Sequence, residues 1–113
     1  MDLTQKHCVP CEGGTSPLPN EKEDHLITQT PDWLLVRDGR HKITREFRFK
    51  TFRQALRFVN GVADLAESEG HHPDITIVYN RVRLDLFTHA VGGLLENDFI
   101  MAAKINGLLK TIS

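Results

Sequence analysis

The sequence predicts an α+β domain, a four-stranded antiparallel sheet with three helices packed on one face. Two stretches, 33–49 and 75–86, alternate apolar and polar side chains about a turn, as β-hairpins do. Segments beginning at Thr51 and near Glu96 instead carry apolar residues at three- and four-residue steps, the spacing of an amphipathic helix. With a short helix before the first hairpin, the order is helix, hairpin, helix, hairpin, helix.

At 113 residues the chain has room for one core and not two. A net charge of −1 gives no basic excess for nucleic acid or a membrane surface. No apolar run approaches the roughly 18 residues of a membrane span. The opening MDLTQKHCVPCEGG lacks the apolar segment of a secretory signal. Two cysteines do not make a disulfide framework, so a cytoplasmic protein is expected.

Residues 1–20, broken by Pro10, Gly13-Gly14, Pro17 and Pro19, are expected to form a loosely ordered leader, followed by a single domain over 21–113. The leader contains Cys8-Val9-Pro10-Cys11. Such a CxxC can supply half of a zinc site, but no second pair exists to complete it, and it does not open a helix after a strand as a redox site would. A mobile leader with two reduced thiols is therefore expected.

The polar segment Asn20–Thr30 suits a short helix stopped by Pro31. Trp33–Val36 and Ile43–Phe49 flank Asp38-Gly39, a strong turn signal. Ile43, Phe47 and Phe49 share one face of the second strand, with Thr44, Glu46 and Arg48 on the other. Trp33, the sole tryptophan, suits either core packing or a wall on which a flat ligand stacks.

Thr51 and Gln54 have the spacing of a capping box. Phe52, Ala55, Leu56, Val59, Val62, Ala63 and Ala66 then form the expected buried stripe, and Gly70 is placed to end the helix in a left-handed conformation. In the second hairpin a two-residue turn at Asn80-Arg81 would set Tyr79 across from Val82, Ile77 from Leu84 and Ile75 from Leu86. Extending that ladder would set His72 opposite His89, unless Pro73 breaks it first. After Gly92-Gly93 the last helix starts near Glu96, with Glu96 and Asp98 favoured by the helix dipole and Phe99, Ala102, Ile105 and Leu109 facing inward. Leu95, at the cap position, is a poor cap.

Three of the six histidines, His71, His72 and His89, thus gather around the second hairpin. They suit general acid–base catalysis, because imidazole gives or takes a proton near neutral pH. A shared metal fits less well, since adjacent residues of an extended chain point to opposite faces. Ordinary surface or capping histidines are the third reading. With no serine or cysteine in the group, nucleophilic catalysis has little support.

These residues also carry a resemblance. Glu67, three residues, His71-His72-Pro73, five residues, Tyr79, nine residues, His89 and then Asp98 resemble the motif of the pterin-4a-carbinolamine dehydratases. Trp33 at the first hairpin, the phenylalanine-rich helix start and the acidic turn before Phe99-Ile100-Met101-Ala102 are similar too, so the likeness covers about 31–108. The cysteine-containing leader is similar to that of some bacterial members. Leu95 departs from the serine or threonine cap of many relatives, which bears on the helix start and not on the chemistry.

The resemblance implies dehydration of 4a-hydroxytetrahydropterin, the product left by aromatic amino acid hydroxylases, to quinonoid dihydropterin. It implies His71 and His89 as the proton-transfer pair, His72 as a residue that orients substrate, and Asp98 as the group that holds or polarises a histidine. Glu67, Pro73 and Trp33 would edge the pocket. It implies a pterin substrate, no cofactor and no metal, and a homodimer or tetramer. The competing class is a non-catalytic dimeric partner-binding module, since animal members also serve as dimerisation cofactors of a homeodomain transcription factor.

Overall fold

The structure is a computed structural model that describes residues 2–9 and 15–112. Its elements are α1 (Asn20–Ile27), β1 (Leu34–Val36), β2 (Lys42–Arg48), α2 (Phe52–Glu69), β3 (Asp74–Val78), β4 (Arg81–Leu86) and α3 (Glu96–Ile112), with one-turn 3₁₀ helices at Leu3–Gln5 and His89–Val91. The strands form one antiparallel sheet in the order β1-β2-β4-β3. The expected α+β architecture of three helices and four strands is the one observed.

The core lies where the sheet's apolar face meets α2 and α3. Ile43, Phe47, Val82, Leu84 and Leu86 supply the sheet side, and Ala55, Phe58, Val62, Ala66, Phe99, Met101, Ala102 and Ile105 the helical side. Burying a side chain of Leu or Phe size contributes about 1.5–3 kcal/mol, so these positions carry most of the drive to fold. Trp33 belongs to this core: it is 4% exposed, its ring meets Phe47 edge-on at 6.2 Å, and its indole N–H donates to Asn106 Oδ1 at 2.9 Å.

Thr51 caps α2 as expected, its hydroxyl oxygen accepting the Gln54 N–H at 3.1 Å. The Gln54 side chain reaches back to the N–H of Lys50, one residue beyond the reciprocal position of a capping box. The buried stripe is rotated from expectation. Phe52 is 47% exposed and Ala63 is exposed, while Phe58 is buried between the rings of Phe47 and Phe49, at centroid distances of 4.6 and 5.2 Å. A Cβ placed on Gly61 would stand 3.1 Å from Leu108 Cδ2, so this glycine lets α3 approach α2 closely. Gly70 takes the left-handed cap conformation at φ 67°.

The second hairpin corrects the expected register. Val78 pairs with Arg81, Ile77 with Val82 and Ile75 with Leu84, so the turn is Tyr79-Asn80 and not Asn80-Arg81. The slip is two residues. Side chains repeat with period two, so every residue keeps its face, and apolar patterning cannot tell the two registers apart. The deciding contacts come from outside the hairpin: Asn80 Nδ2 donates to the Phe49 carbonyl at 2.7 Å, and the Phe49 N–H donates to the Asn80 carbonyl at 2.9 Å. Tyr79 takes φ 53° to make the turn. The ladder ends at Asp74–Asp85, and continuing it would face His72 with Phe87, so His72 and His89 are not cross-strand partners.

Leu3 is 2% exposed, and Lys6–Val9 bond to α2 and α3. Cys8 is described and free, whereas Cys11 lies outside the described residues. At the other end of the fold, the fully buried Glu23 ties α1 to the first hairpin by accepting from Arg37 Nε at 3.0 Å and His41 Nδ1 at 2.8 Å. The edge strand β3 is exposed along its whole length, with Ile75 and Ile77 each 38% exposed and Val78 51%.

Candidate functional site

Asp98 is the third residue of α3, and its side chain is fully buried. Three donors satisfy it. Oδ2 accepts the Leu95 N–H at 3.0 Å and the Thr88 hydroxyl at 2.9 Å, and Oδ1 faces His71 Nε2 at 2.6 Å. The bond to Leu95 explains how a leucine can stand at the cap: the acid in the first turn reaches back to the cap N–H, as in half of a capping box. The positive end of the α3 dipole also favours a carboxylate here.

His71 is delivered by the end of α2. The Gly70 and His71 N–H groups both donate to the Ala66 carbonyl, at 2.9 and 3.3 Å, which fixes the chain just where it leaves the helix. The His71 side chain is 13% exposed. A carboxylate acceptor at Nε2 keeps the proton on that nitrogen and leaves Nδ1 as the basic atom of the neutral ring. Such a charge-assisted bond is short and about twice as strong as a neutral one.

His72 points the other way, as the alternation of an extended segment requires. It is more than half exposed, and its Nε2 lies 2.5 Å from the exposed Glu67 carboxylate. Pro73 follows, half-buried. His89 opens the 3₁₀ turn after β4, exposed and packed at 61° to the Phe87 ring with centroids 4.4 Å apart. The Arg40 guanidinium lies 4.0 Å above the same Phe87 ring. The loop carrying His89 is closed at its base, where the Thr88 N–H donates to the Gly93 carbonyl at 2.8 Å and Gly92 N–H donates back to the Thr88 carbonyl at 3.1 Å.

Of the expected site residues, the structure thus joins His71 directly to Asp98, and joins His89 to them through its neighbour Thr88. Glu67 and His72 form a separate exposed pair. Trp33 lies in the core and is not joined to them. Sequence reasoning missed Thr88, whose only signal was its place between an apolar strand and a histidine. It also missed Glu69 and Asn97, which resemble ordinary polar helix residues in the sequence.

Glu69 ends α2 with its carboxylate buried, accepting the Cys8 N–H at 2.8 Å and Lys104 Nζ at 3.0 Å, with His7 Nδ1 at 3.0 Å. Burial pushes this carboxyl upward, but the hydrogen bonds from Cys8, His7 and Lys104 outweigh it and hold it at about 2. Burial, then the nearby Glu69 charge, pushes the Cys8 thiol up to about 12. Cys8 is therefore a neutral thiol at physiological pH, not a nucleophile or a ready thiolate ligand. Among the described residues, no three or more His, Cys, Asp or Glu side chains are grouped to hold one metal ion, and no helix is long and apolar enough to cross a membrane.

Residues 16–108 match the family described as pterin 4 alpha carbinolamine dehydratase. A relative from Rubrobacter xylanophilus named "Putative pterin-4-alpha-carbinolamine dehydratase" is 47% identical over 107 residues, covering 95% of this chain and 98% of the relative. One of the same name from Methylococcus capsulatus is 48% identical, covering 94% and 92%. Among solved structures, a transcriptional coactivator/pterin dehydratase from Brucella melitensis superposes with a TM-score of 0.77 at 38% identity, over 82% of this chain and 98% of that one. A pterin dehydratase-like RuBisCO assembly factor of the alpha-carboxysome superposes at 0.58 with 23% identity, over 68% and 88%, a likeness of fold alone.

Proposed function

Because the chain belongs to the pterin-4a-carbinolamine dehydratase family, we propose that it removes water from 4a-hydroxytetrahydropterin by histidine general acid–base catalysis. The observation that carries the mechanism is the 2.6 Å bond between His71 Nε2 and a fully buried Asp98. It commits one ring nitrogen to a carboxylate and turns the other into a proton-transfer atom of fixed direction.

In the reaction the C4a–O bond breaks, N5 loses its proton and an N5=C4a double bond forms. Hydroxide is a poor leaving group, so an acid must deliver a proton to that oxygen while a base takes the one on N5. His71 and His89 supply these two roles. One histidine gains the proton that the other gives up, and exchange with water resets the pair. Loss of water changes no oxidation state, so the reading calls for no redox cofactor and no metal. His72, turned outward and paired with Glu67, orients the substrate at the pocket edge beside Pro73. Trp33, with its ring in the core, would act there only by supporting the first hairpin.

The substrate places the protein after an aromatic amino acid hydroxylase, whose spent pterin it would return to use. A homodimer or tetramer is the expected form. The exposed β3 edge, with apolar Ile75, Ile77 and Val78, supports that expectation, because an open edge invites pairing. The same edge favours the second reading, a dimeric partner-binding module without catalysis.

A stopped-flow assay on freshly made 4a-carbinolamine separates the two. The catalytic reading expects acceleration over the uncatalysed reaction and a loss of at least about tenfold in both His71→Ala and His89→Ala. Equal rates in the parent and both variants would leave only the binding module.

A further inference from the structure

Among the described residues, every side-chain hydrogen bond of Lys6–Val9 goes to one of two short segments. Lys6 Nζ bonds Glu96 at 3.2 Å. His7 Nδ1 and the Cys8 N–H both reach the Glu69 carboxylate, and Cys8 Sγ lies 3.6 Å from the Asn97 carbonyl. Val9 is held on both sides of its peptide by one amide: its N–H donates to Asn97 Oδ1 at 3.0 Å, and its carbonyl accepts from Asn97 Nδ2 at 2.7 Å.

These two segments are the ones that present the candidate pair. Glu69 stands two residues before His71, and Asn97 immediately precedes Asp98. Lys104, from further along α3, adds a direct link to Glu69 at 3.0 Å. We propose that Lys6–Val9 is a brace fixing the end of α2 against the start of α3, with Glu69 and Asn97 as positioning residues for the His71–Asp98 hydrogen bond. The proposal rests on the reading of His71 as a proton-transfer group.

The physical case is geometric. His71 and Asp98 come from different helices, so their 2.6 Å separation depends on how the two helix ends are held. A slip of about 1 Å would take the pair beyond hydrogen-bond range, and misplacement of that size can cost about 10²-fold in rate. Glu69 and Asn97 are themselves buried, with 6% of the Glu69 side chain and 5% of Asn97 exposed. Removing a partner from such groups leaves a polar atom unsatisfied, and a shift of the chain is the way to relieve it. The His7–Val9 segment thereby gains a role through its backbone and its histidine that needs no thiol chemistry.

The test uses the full chain with Glu69→Gln and Asn97→Ala, each checked for cooperative thermal unfolding. The first readout is the downfield proton resonance of His71 Nε2–H by NMR, and the second is the kcat and KM of carbinolamine dehydration. The brace predicts that the resonance moves or broadens and that kcat falls about fivefold while KM stays within about twofold. If either variant fails to fold, Val9→Pro removes the Val9 N–H donor to Asn97 and is measured in the same way. An unmoved resonance overturns the brace, and so does an unchanged kcat in variants of an active parent. A resonance that moves in variants of a parent with no dehydratase activity supports the brace and defeats the functional reading instead.

Discussion

Thr88 Oγ1 and Asp98 Oδ2 stand 2.9 Å apart, both buried, between the end of β4 and the first turn of α3. That one bond joins the neighbour of His89 to the residue that faces His71. The two histidines therefore share a mount even though they come from separate elements.

Thr88→Val keeps the shape of the side chain and deletes the donor. Asp98 Oδ2 is then left with the Leu95 N–H alone. Loss of one partner to a buried charged acceptor costs about 1–3 kcal/mol, so the urea midpoint should fall. The dehydration rate should fall about tenfold with KM little changed, because the substrate does not touch the hydroxyl in this reading. A variant with parental kcat would remove Thr88 from the machinery.

Glu69 makes acid sensitivity predictable in sign. Its carboxyl is held at about 2 against an ordinary 4.5, so the folded state favours the charged form. Its contribution to stability is fully present above about pH 4.5 and is lost as pH falls toward 2. Denaturant unfolding of the parent and Glu69→Gln should differ most at neutral pH and converge at about pH 2 and below. A gap that widens on acidification would contradict the geometry of the Cys8, His7 and Lys104 bonds.

Cys8 should be a slow thiol. With Cys11 replaced by serine to isolate it, alkylation by iodoacetamide at pH 8 should run well below the rate of a free cysteine. It should also keep rising with pH beyond 9, since the thiol is pushed up to about 12. A rate that levels off near pH 8.5 would mean the thiol is neither buried nor beside Glu69.

Tyr79 holds φ 53° while 67% exposed, so it bears the cost of a left-handed conformation with little burial in return. Tyr79→Gly should raise the denaturation midpoint, by up to about 1 kcal/mol in stability. The measurement belongs at low protein concentration, where any association through the β3 edge does not contribute.

Much of the fold was legible because its signals are local. Alternation gave both hairpins, the three- and four-residue spacing gave α2 and α3, and Thr51 and Gly70 gave the limits of α2. The turn of the second hairpin was not legible, because a two-residue slip leaves both faces unchanged and the choice rests on Asn80 reaching Phe49 across the sheet. Phe58 was missed for a similar reason: its burial depends on Phe47 and Phe49, which lie outside its own helix. At the site, His71 and Asp98 were named together through the family motif, and the structure adds the bond between them. Thr88, Glu69 and Asn97 carry no local pattern, since their partners are 10 to 88 residues away along the chain.

Asp98 serves two masters. It starts α3 by taking the Leu95 N–H and it aims His71, both with one carboxylate. A descendant chain that abandoned the chemistry would still be under pressure to keep this acid for folding, while the exposed His89, packed on the Phe87 ring, has no buried polar bond of that kind among the described residues. Within such a lineage the aspartate is a poor witness to activity, and the exposed histidine is the informative one.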